Sequence, residues 1–190
     1  MNNFVKKMLR RFLFFGLVLP SLYGALSSSC GQDWYSVKEV MRFMGAQVTL
    51  PQQLLKIEDG LVSDYYCSFH LPILVHYYGP EECRECVLSN VGKNIDLYEW
   101  SVSSHSFELM VILAPSKEYQ QDIIDRLCHL ELGFPIFIDA SHEIATQNIV
   151  PSDSRLHTFL LDYAGRPVCI GNPLSSKKTN AKFKKIIYSY

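Results

Sequence analysis

The sequence predicts an α/β fold with a central mixed sheet and helices on both of its faces. Three observations carry that expectation. Continuous apolar runs at 71–78, 108–115 and 134–140 read as buried strands, since a strand covered on both faces has no polar alternation. The first two are followed by stretches whose apolar residues recur at helical spacing. The chain then closes with two short apolar segments joined by a tight turn and a last amphipathic stretch, so parallel connections give way to an antiparallel pair.

Each element has its own signal. Ser36-Val37-Lys38-Glu39 has the form of a capping box and opens a short helix containing Val40, Met41 and Met44. The segment Ala46 to Pro51 reads as a short strand, and Asp59-Gly60 as the turn of a hairpin. Residues 83–99 form the next helix, with Val87, Leu88, Val91, Ile95 and Tyr98 on its inner face. Ser116 is placed to cap a helix over 117–131, with Tyr119, Ile123, Ile124, Leu127 and Leu130 inward and Gly133 as its stop. A short helix is expected around 142–148. Strands at 156–162 and 166–171 flank Tyr163-Ala164-Gly165, and a final helix covers 177–188 with Phe183, Ile186 and Ile187 on one side.

The 190 residues are 48% hydrophobic and 19% charged, the profile of a globular chain with room for one domain and a leader. The formal net charge of −1 is unevenly spread. Residues 1–29 hold Lys6, Lys7, Arg10 and Arg11 and no acid, and the rest carries 14 basic against 19 acidic residues. An acidic body argues against nucleic acid as a partner, because affinity for phosphate needs concentrated positive charge. Five lysines and no acid lie between Lys177 and Tyr190. They fit a solvated helix face with cations near its C-terminus.

A basic start, the apolar run Phe12 to Leu19 and small residues up to Cys30 have the layout of an export signal. That run is too short to span a bilayer, which takes about 20 residues. Ala25, Leu26 and Ser27 to Ser29 ahead of Cys30 resemble the lipobox of bacterial lipoproteins. The resemblance implies cleavage before Cys30 and its modification by acyl chains such as palmitate, which would hold the protein at a membrane. The expected organisation is a signal peptide of lipoprotein type over 1–29, a tether with a short helix over 30–47, and a folded domain over 48–190. The expected location is the cell envelope, on the outer membrane or facing the periplasm, where thiols meet oxidising conditions.

Cys83-Arg84-Glu85-Cys86 follows the first long strand and opens its helix. A CxxC pair there can be a redox couple, half of a zinc site or a structural disulfide. The element order, with CxxC between strand and helix, resembles the thioredoxin fold, and its details are similar to the secreted TlpA and ResA-like branch and its peroxiredoxin relatives. "HTFLLDYAGRPV" is similar to that group's hairpin, and "FPIFIDASHEIATQNIV" to the segment before it. The resemblance covers residues 48–190. It implies a Cys83–Cys86 disulfide, with Cys83 as nucleophile and Cys86 as the resolving thiol. A helix N-terminus lowers the pKa of the first cysteine, Arg84 is expected to add to this, and Glu81, Glu82 and Glu85 are expected to oppose it. Glu82 stands where the family carries an aromatic residue. Leu156 stands at the position of its cis-proline, and His157 is expected opposite the CxxC.

The other signals are less directed. Cys67, Cys128 and Cys169 read as small buried hydrophobes, with a Cys67–Cys169 bridge as an option. Cys128-His129 would complete a zinc site only if their helix reached the start of the CxxC helix. The six histidines show no paired-ligand spacing, so no metal and no cofactor is expected. Ser103, Ser104 and His105 lack a nucleophile-elbow context, no Gly-rich phosphate loop is present, and the peroxidase pattern PxxxTxxC is absent. The functional expectation is a membrane-anchored extracytoplasmic thiol–disulfide oxidoreductase, with protein thiols or disulfides and, through Cys30, membrane lipid as partners. The alternative is a non-catalytic lipoprotein that uses the same fold for binding or envelope structure.

Overall fold

The structure, a computed structural model, describes residues 37–190. The signal at 1–29, the Cys30 anchor and the Ser36 cap lie outside the described residues. Helix α1 spans 37–44. It is followed by β1 (Gln53–Glu58), β2 (Leu61–Tyr66), β3 (Ile73–Tyr78), α2 (Arg84–Asn90), a 3₁₀ turn (Val91–Asn94), α3 (Ile95–Ser104), β4 (Glu108–Leu113) and α4 (Gln120–Cys128). Then come β5 (Ile136–Ile138), α5 (Glu143–Gln147), a 3₁₀ turn (Ser154–Leu156), β6 (Thr158–Leu161), β7 (Pro167–Ile170) and α6 (Lys177–Ile187). Among the described residues no helix is long and apolar enough to cross a membrane.

The seven strands form one mixed sheet in the order β2-β1-β5-β4-β3-β6-β7. β3 is parallel to β4, and β4 to β5, while the other adjacent pairs are antiparallel. Right-handed crossovers then fix the layers. The steps β3 to β4 and β4 to β5 run the same way across the sheet, so α2, α3 and α4 share one face. β6 is antiparallel to these strands, and α5 before it packs through Ile144 on the opposite face. Burial follows this division. Val87, Leu97, Ile123, Leu127 and Phe183 pack with Leu74, Val111 and Leu160 on one side, and Phe43 and Ile144 pack with Val75, Ile112 and Phe159 on the other. Cys169 belongs to the first layer and Cys67 packs against the second, so the sheet separates them and no bridge between them is available.

Several expected elements differ. The strand expected at 46–51 is irregular, because Asn148 supplies what a neighbouring strand would: its amide accepts from Thr49 N–H (2.7 Å) and donates to the Thr49 carbonyl (2.9 Å). The helix expected over 83–99 breaks at 91–94, where Asn94 Nδ2 donates to the Val91 carbonyl (2.9 Å) and competes with the backbone ladder. The helix expected over 117–131 runs only from Gln120 to Cys128. Ser116 is the first residue of a preceding turn that Tyr119 N–H closes onto its carbonyl (3.0 Å), not the cap. Tyr119 and Leu130, expected inward, are exposed, and Gly133 (φ +72°) lies in the loop beyond the helix end.

Gly165 turns the β6–β7 hairpin at φ +74°, and the Val48 N–H donates to its carbonyl (2.8 Å). A Cβ there would sit 2.7 Å from the Val48 carbonyl oxygen, and the backbone region itself is one that L side chains rarely adopt. Gly165→Ala is expected to cost about 2 kcal/mol or more, read as a lower urea midpoint at unchanged m-value.

His76 gives a second stability prediction. It lies stacked on Tyr78 (4.7 Å between centroids, 17°), with Nδ1 buried and unpartnered. Burial, partly opposed by the Glu82 charge and an Asn94 hydrogen bond, lowers its pKa to about 4. The folded value lies below the unfolded one near 6.5, so this stability is complete above pH 6.5 and is lost as pH falls toward 4. The loss is expected to reach roughly 2–3 kcal/mol, and urea titrations should show it flattened in His76→Phe.

Candidate active site

β3 ends at Tyr78, and Gly79, Pro80, Glu81 and Glu82 turn the chain so that Cys83 becomes the residue just ahead of α2. Its extended backbone (φ −61°, ψ 118°) leaves its carbonyl to accept the first helical bond, from Val87 N–H at 2.9 Å. Both Cys83 and Cys86 are exposed, and all five cysteines among the described residues are free thiols. The structure therefore brings the two expected residues together on one helical turn.

The two sulfurs differ electrostatically. The Cys86 thiol donates to Cys83, which is the main reason the Cys83 pKa is lowered. Backbone N–H groups of Cys86 and Glu85 add to it, and the Glu85 charge opposes. The same sulfur–sulfur hydrogen bond is the main reason that Cys86 is raised. Exchange chemistry needs this asymmetry, with one thiolate to attack and one protonated reserve. Arg84 does not contribute as expected. Its guanidinium is engaged with Asp122 (3.2 Å) and Glu85 (3.2 Å) and lies over the Tyr119 ring at 4.9 Å. Arg126 completes the network on α4 by meeting Glu85 (3.0 Å) and Asp122 (3.3 Å). Glu85 is thereby partly compensated.

Glu82 and Glu85 also separate in role. Glu82 is turned inward, accepting from Gly79 N–H (3.1 Å) and lying 3.4 Å from His157 Nδ1. Only 12% of the His157 side chain is exposed, and it does sit opposite the CxxC loop, as expected. Leu156 ends the 3₁₀ turn before β6, in the place expected for a cis-proline, and no peptide bond among the described residues is cis.

Beside Cys83 a cleft of about 270 Å³ opens at the carboxyl ends of β3 and β4, where α/β sheets bind ligands. Tyr78, Val87, Leu113 and Ile123 form its apolar floor, and Arg84 and Tyr119 one wall. The sequence reading missed Tyr119 in this role by placing it on the buried face. Its one available signal was proximity to Pro115, which delays the helix. Cys128 and His129 line a separate cavity under the β1–β2 turn, away from the start of α2. Among the described residues no three His, Cys, Asp or Glu side chains are grouped to hold a metal.

No protein-family model matches the chain, and no curated protein matches it. Solved structures do. A conserved protein of unknown function from Bacteroides fragilis is 12% identical with a TM-score of 0.43, covering 74% of this chain and 97% of that one. A hypothetical protein from Sinorhizobium meliloti is 17% identical with a TM-score of 0.39, covering 70% and 73%. An uncharacterized thioredoxin-like protein from Porphyromonas gingivalis is 14% identical with a TM-score of 0.39, covering 75% and 92%. The fold is thioredoxin-like. Strand order carries that statement: β4-β3-β6-β7 with α2 and α6 on one face, and β5 and the β1–β2 hairpin added at one edge.

The sulfur asymmetry gives a direct prediction. Alkylation of the reduced protein should modify Cys83 before Cys86 at neutral pH, and Cys86→Ala should move the Cys83 alkylation midpoint to higher pH. Peptide-resolved mass spectrometry across pH 5–9 measures both.

Proposed function

We propose that this protein is a thiol–disulfide oxidoreductase acting through Cys83 and Cys86. The observation that carries the reading is the pair of exposed free thiols one turn apart at the start of α2, with Cys83 at the helix N-terminus. In the reducing direction the Cys83 thiolate attacks one sulfur of a substrate disulfide and expels the other as a thiolate, which takes a proton from solvent. Cys86 then gives up its proton and attacks the Cys83 sulfur. The substrate leaves as a dithiol, the protein keeps a Cys83–Cys86 disulfide, and two electrons have passed to the substrate. The oxidising direction is the reverse. The adjoining apolar cleft with Arg84 and Tyr119 on its wall suits an extended protein segment around the target disulfide.

The lipobox-like segment ending at Cys30 supports a further part of the proposal. Cleavage there would leave an acylated Cys30 and a lipid-anchored, TlpA or ResA-like envelope protein that exchanges with extracytoplasmic protein thiols. Cys30→Ala should then abolish palmitate incorporation, with the uncleaved precursor accumulating.

The chemical proposal predicts that Cys83–Cys86 equilibrates with a glutathione redox series as a single two-electron couple. Cys86→Ser should accumulate mixed disulfides at Cys83. A pair that stays reduced or oxidised throughout the series and traps nothing would assign the protein to the non-catalytic alternative.

A further inference from the structure

His157 has more partners than the exchange reaction requires. Its Nδ1 lies 3.4 Å from Glu82 Oε1, and its Nε2 lies 2.9 Å from the Pro151 carbonyl. Its own carbonyl accepts from Tyr77 N–H (2.9 Å), which fixes the residue to the end of β3, and its ring packs on Tyr77 at 5.4 Å. Both ring nitrogens therefore face acceptors. A neutral imidazole has one N–H and can satisfy only one of them, whereas the imidazolium has two and satisfies both.

The other end of the contact is Glu82, the residue next to Cys83. Its carboxylate is folded back onto Gly79 N–H and His157, and its backbone N–H donates to the Gly79 carbonyl (3.1 Å). The acid whose charge disfavours the Cys83 thiolate is Glu85, on the helix, rather than this immediate neighbour.

We propose that His157 is a positioning residue for Cys83: as the imidazolium it ties Glu82 to the Pro151 loop, fixes the turn that presents the nucleophile, and keeps the Glu82 carboxylate from swinging toward the sulfur. This rests on the Cys83–Cys86 reading and adds a residue and a pH dependence to it. The groups facing His157 are Glu82 from the loop, Tyr77 and His76 from β3, and Asp153 from the segment before β6. Burial pulls the His157 pKa down, but the hydrogen bonds to Glu82 and Pro151, with the charges of Glu82 and Asp153, outweigh it and raise the net value. The tie is thus complete below the ordinary histidine value and loosens as pH rises through the raised one.

The test is a double-mutant cycle on the full chain, reading the pH midpoint of Cys83 alkylation peptide by peptide. His157→Gln is expected to move that midpoint upward by about half a pH unit or more, slowing Cys83 alkylation at pH 7 about threefold. Glu82→Gln removes the charge to be restrained, so adding His157→Gln in that background should leave the midpoint within error of Glu82→Gln alone. An unchanged midpoint in His157→Gln, or an equal shift with and without Glu82, would overturn the proposal. Alkylation needs no turnover, so intact coupling in a protein that fails to cycle with glutathione would refute only the oxidoreductase reading.

Discussion

The site depends on the way β3 is held. Its six residues pair in parallel with all of β4 on one side, and Ile73 to His76 pair antiparallel with β6 on the other. Ile73, Leu74, Val75, Tyr77 and Tyr78 are buried, and His76 is half-buried. A strand enclosed in this way has no freedom at its end, so the point where the chain leaves the sheet is fixed to within a residue. Gly79 is that point, and four residues later Cys83 caps the start of α2. The Tyr77 N–H continues the β3–β6 pairing one step beyond the ladder by donating to the His157 carbonyl. The same strand end therefore sets both the nucleophile loop and the residue facing it.

This arrangement places polar side chains where a core would prefer none. Tyr77 Oη and His76 Nδ1 are buried without partners, and burial first, then Asp139 and Glu82, pushes the Tyr77 phenol up to about 12. Such groups remain neutral across physiological pH, so the interior below the cysteines contributes aromatic packing and shape rather than charge. The charged groups lie around it. Arg84, Glu85, Asp122 and Arg126 join α2 to α4 at the surface, and Glu82 and His157 join the loop to the β6 approach. Exposed pairs of the first kind contribute at most about 1 kcal/mol each. Their consequence for chemistry is that Arg84 is occupied.

The parts of the fold that were legible in the sequence are those set by long apolar runs. β3, β4 and β5 are apolar or aromatic throughout except for His76 and Glu108, and a covered sheet accounts for such runs. The β6–β7 hairpin was legible from Gly165, whose φ no other residue type adopts at so little cost. Two of the misread elements share one cause, which is a side chain replacing a backbone partner. Asn148 stands in for a strand beside Thr49, and Asn94 takes the Val91 carbonyl. Apolar periodicity cannot register either, because Val87, Val91 and Ile95 stay on one side through the 3₁₀ turn. Asn90, Gly92 and Asn94 were the available signal, all three poor helix formers within five residues. The short helix before β1 shows the same limit. Its Phe43 is fully buried and meets Phe159 at 4.9 Å, a long-range contact that its position in a lead-in segment does not announce.

The site itself was legible as a pair of cysteines and illegible as an electrostatic arrangement. Counting acids near Cys83 gives three, and the count treats them alike. The fold distinguishes two of them by direction: Glu85 stays beside the sulfur and is met by Arg84 and Arg126, while Glu82 turns away onto Gly79 and His157. His157, the residue after Leu156, reaches across to Glu82. A proline stiffens an approach loop through its own backbone. Here the loop before β6 has a 3₁₀ turn instead, and His157 fastens it to the cysteine loop through Glu82 and to itself through the Pro151 carbonyl. A contact that needs both imidazole protons depends on pH, so the hold of this loop on the cysteine turn responds to the surroundings even where its geometry is kept.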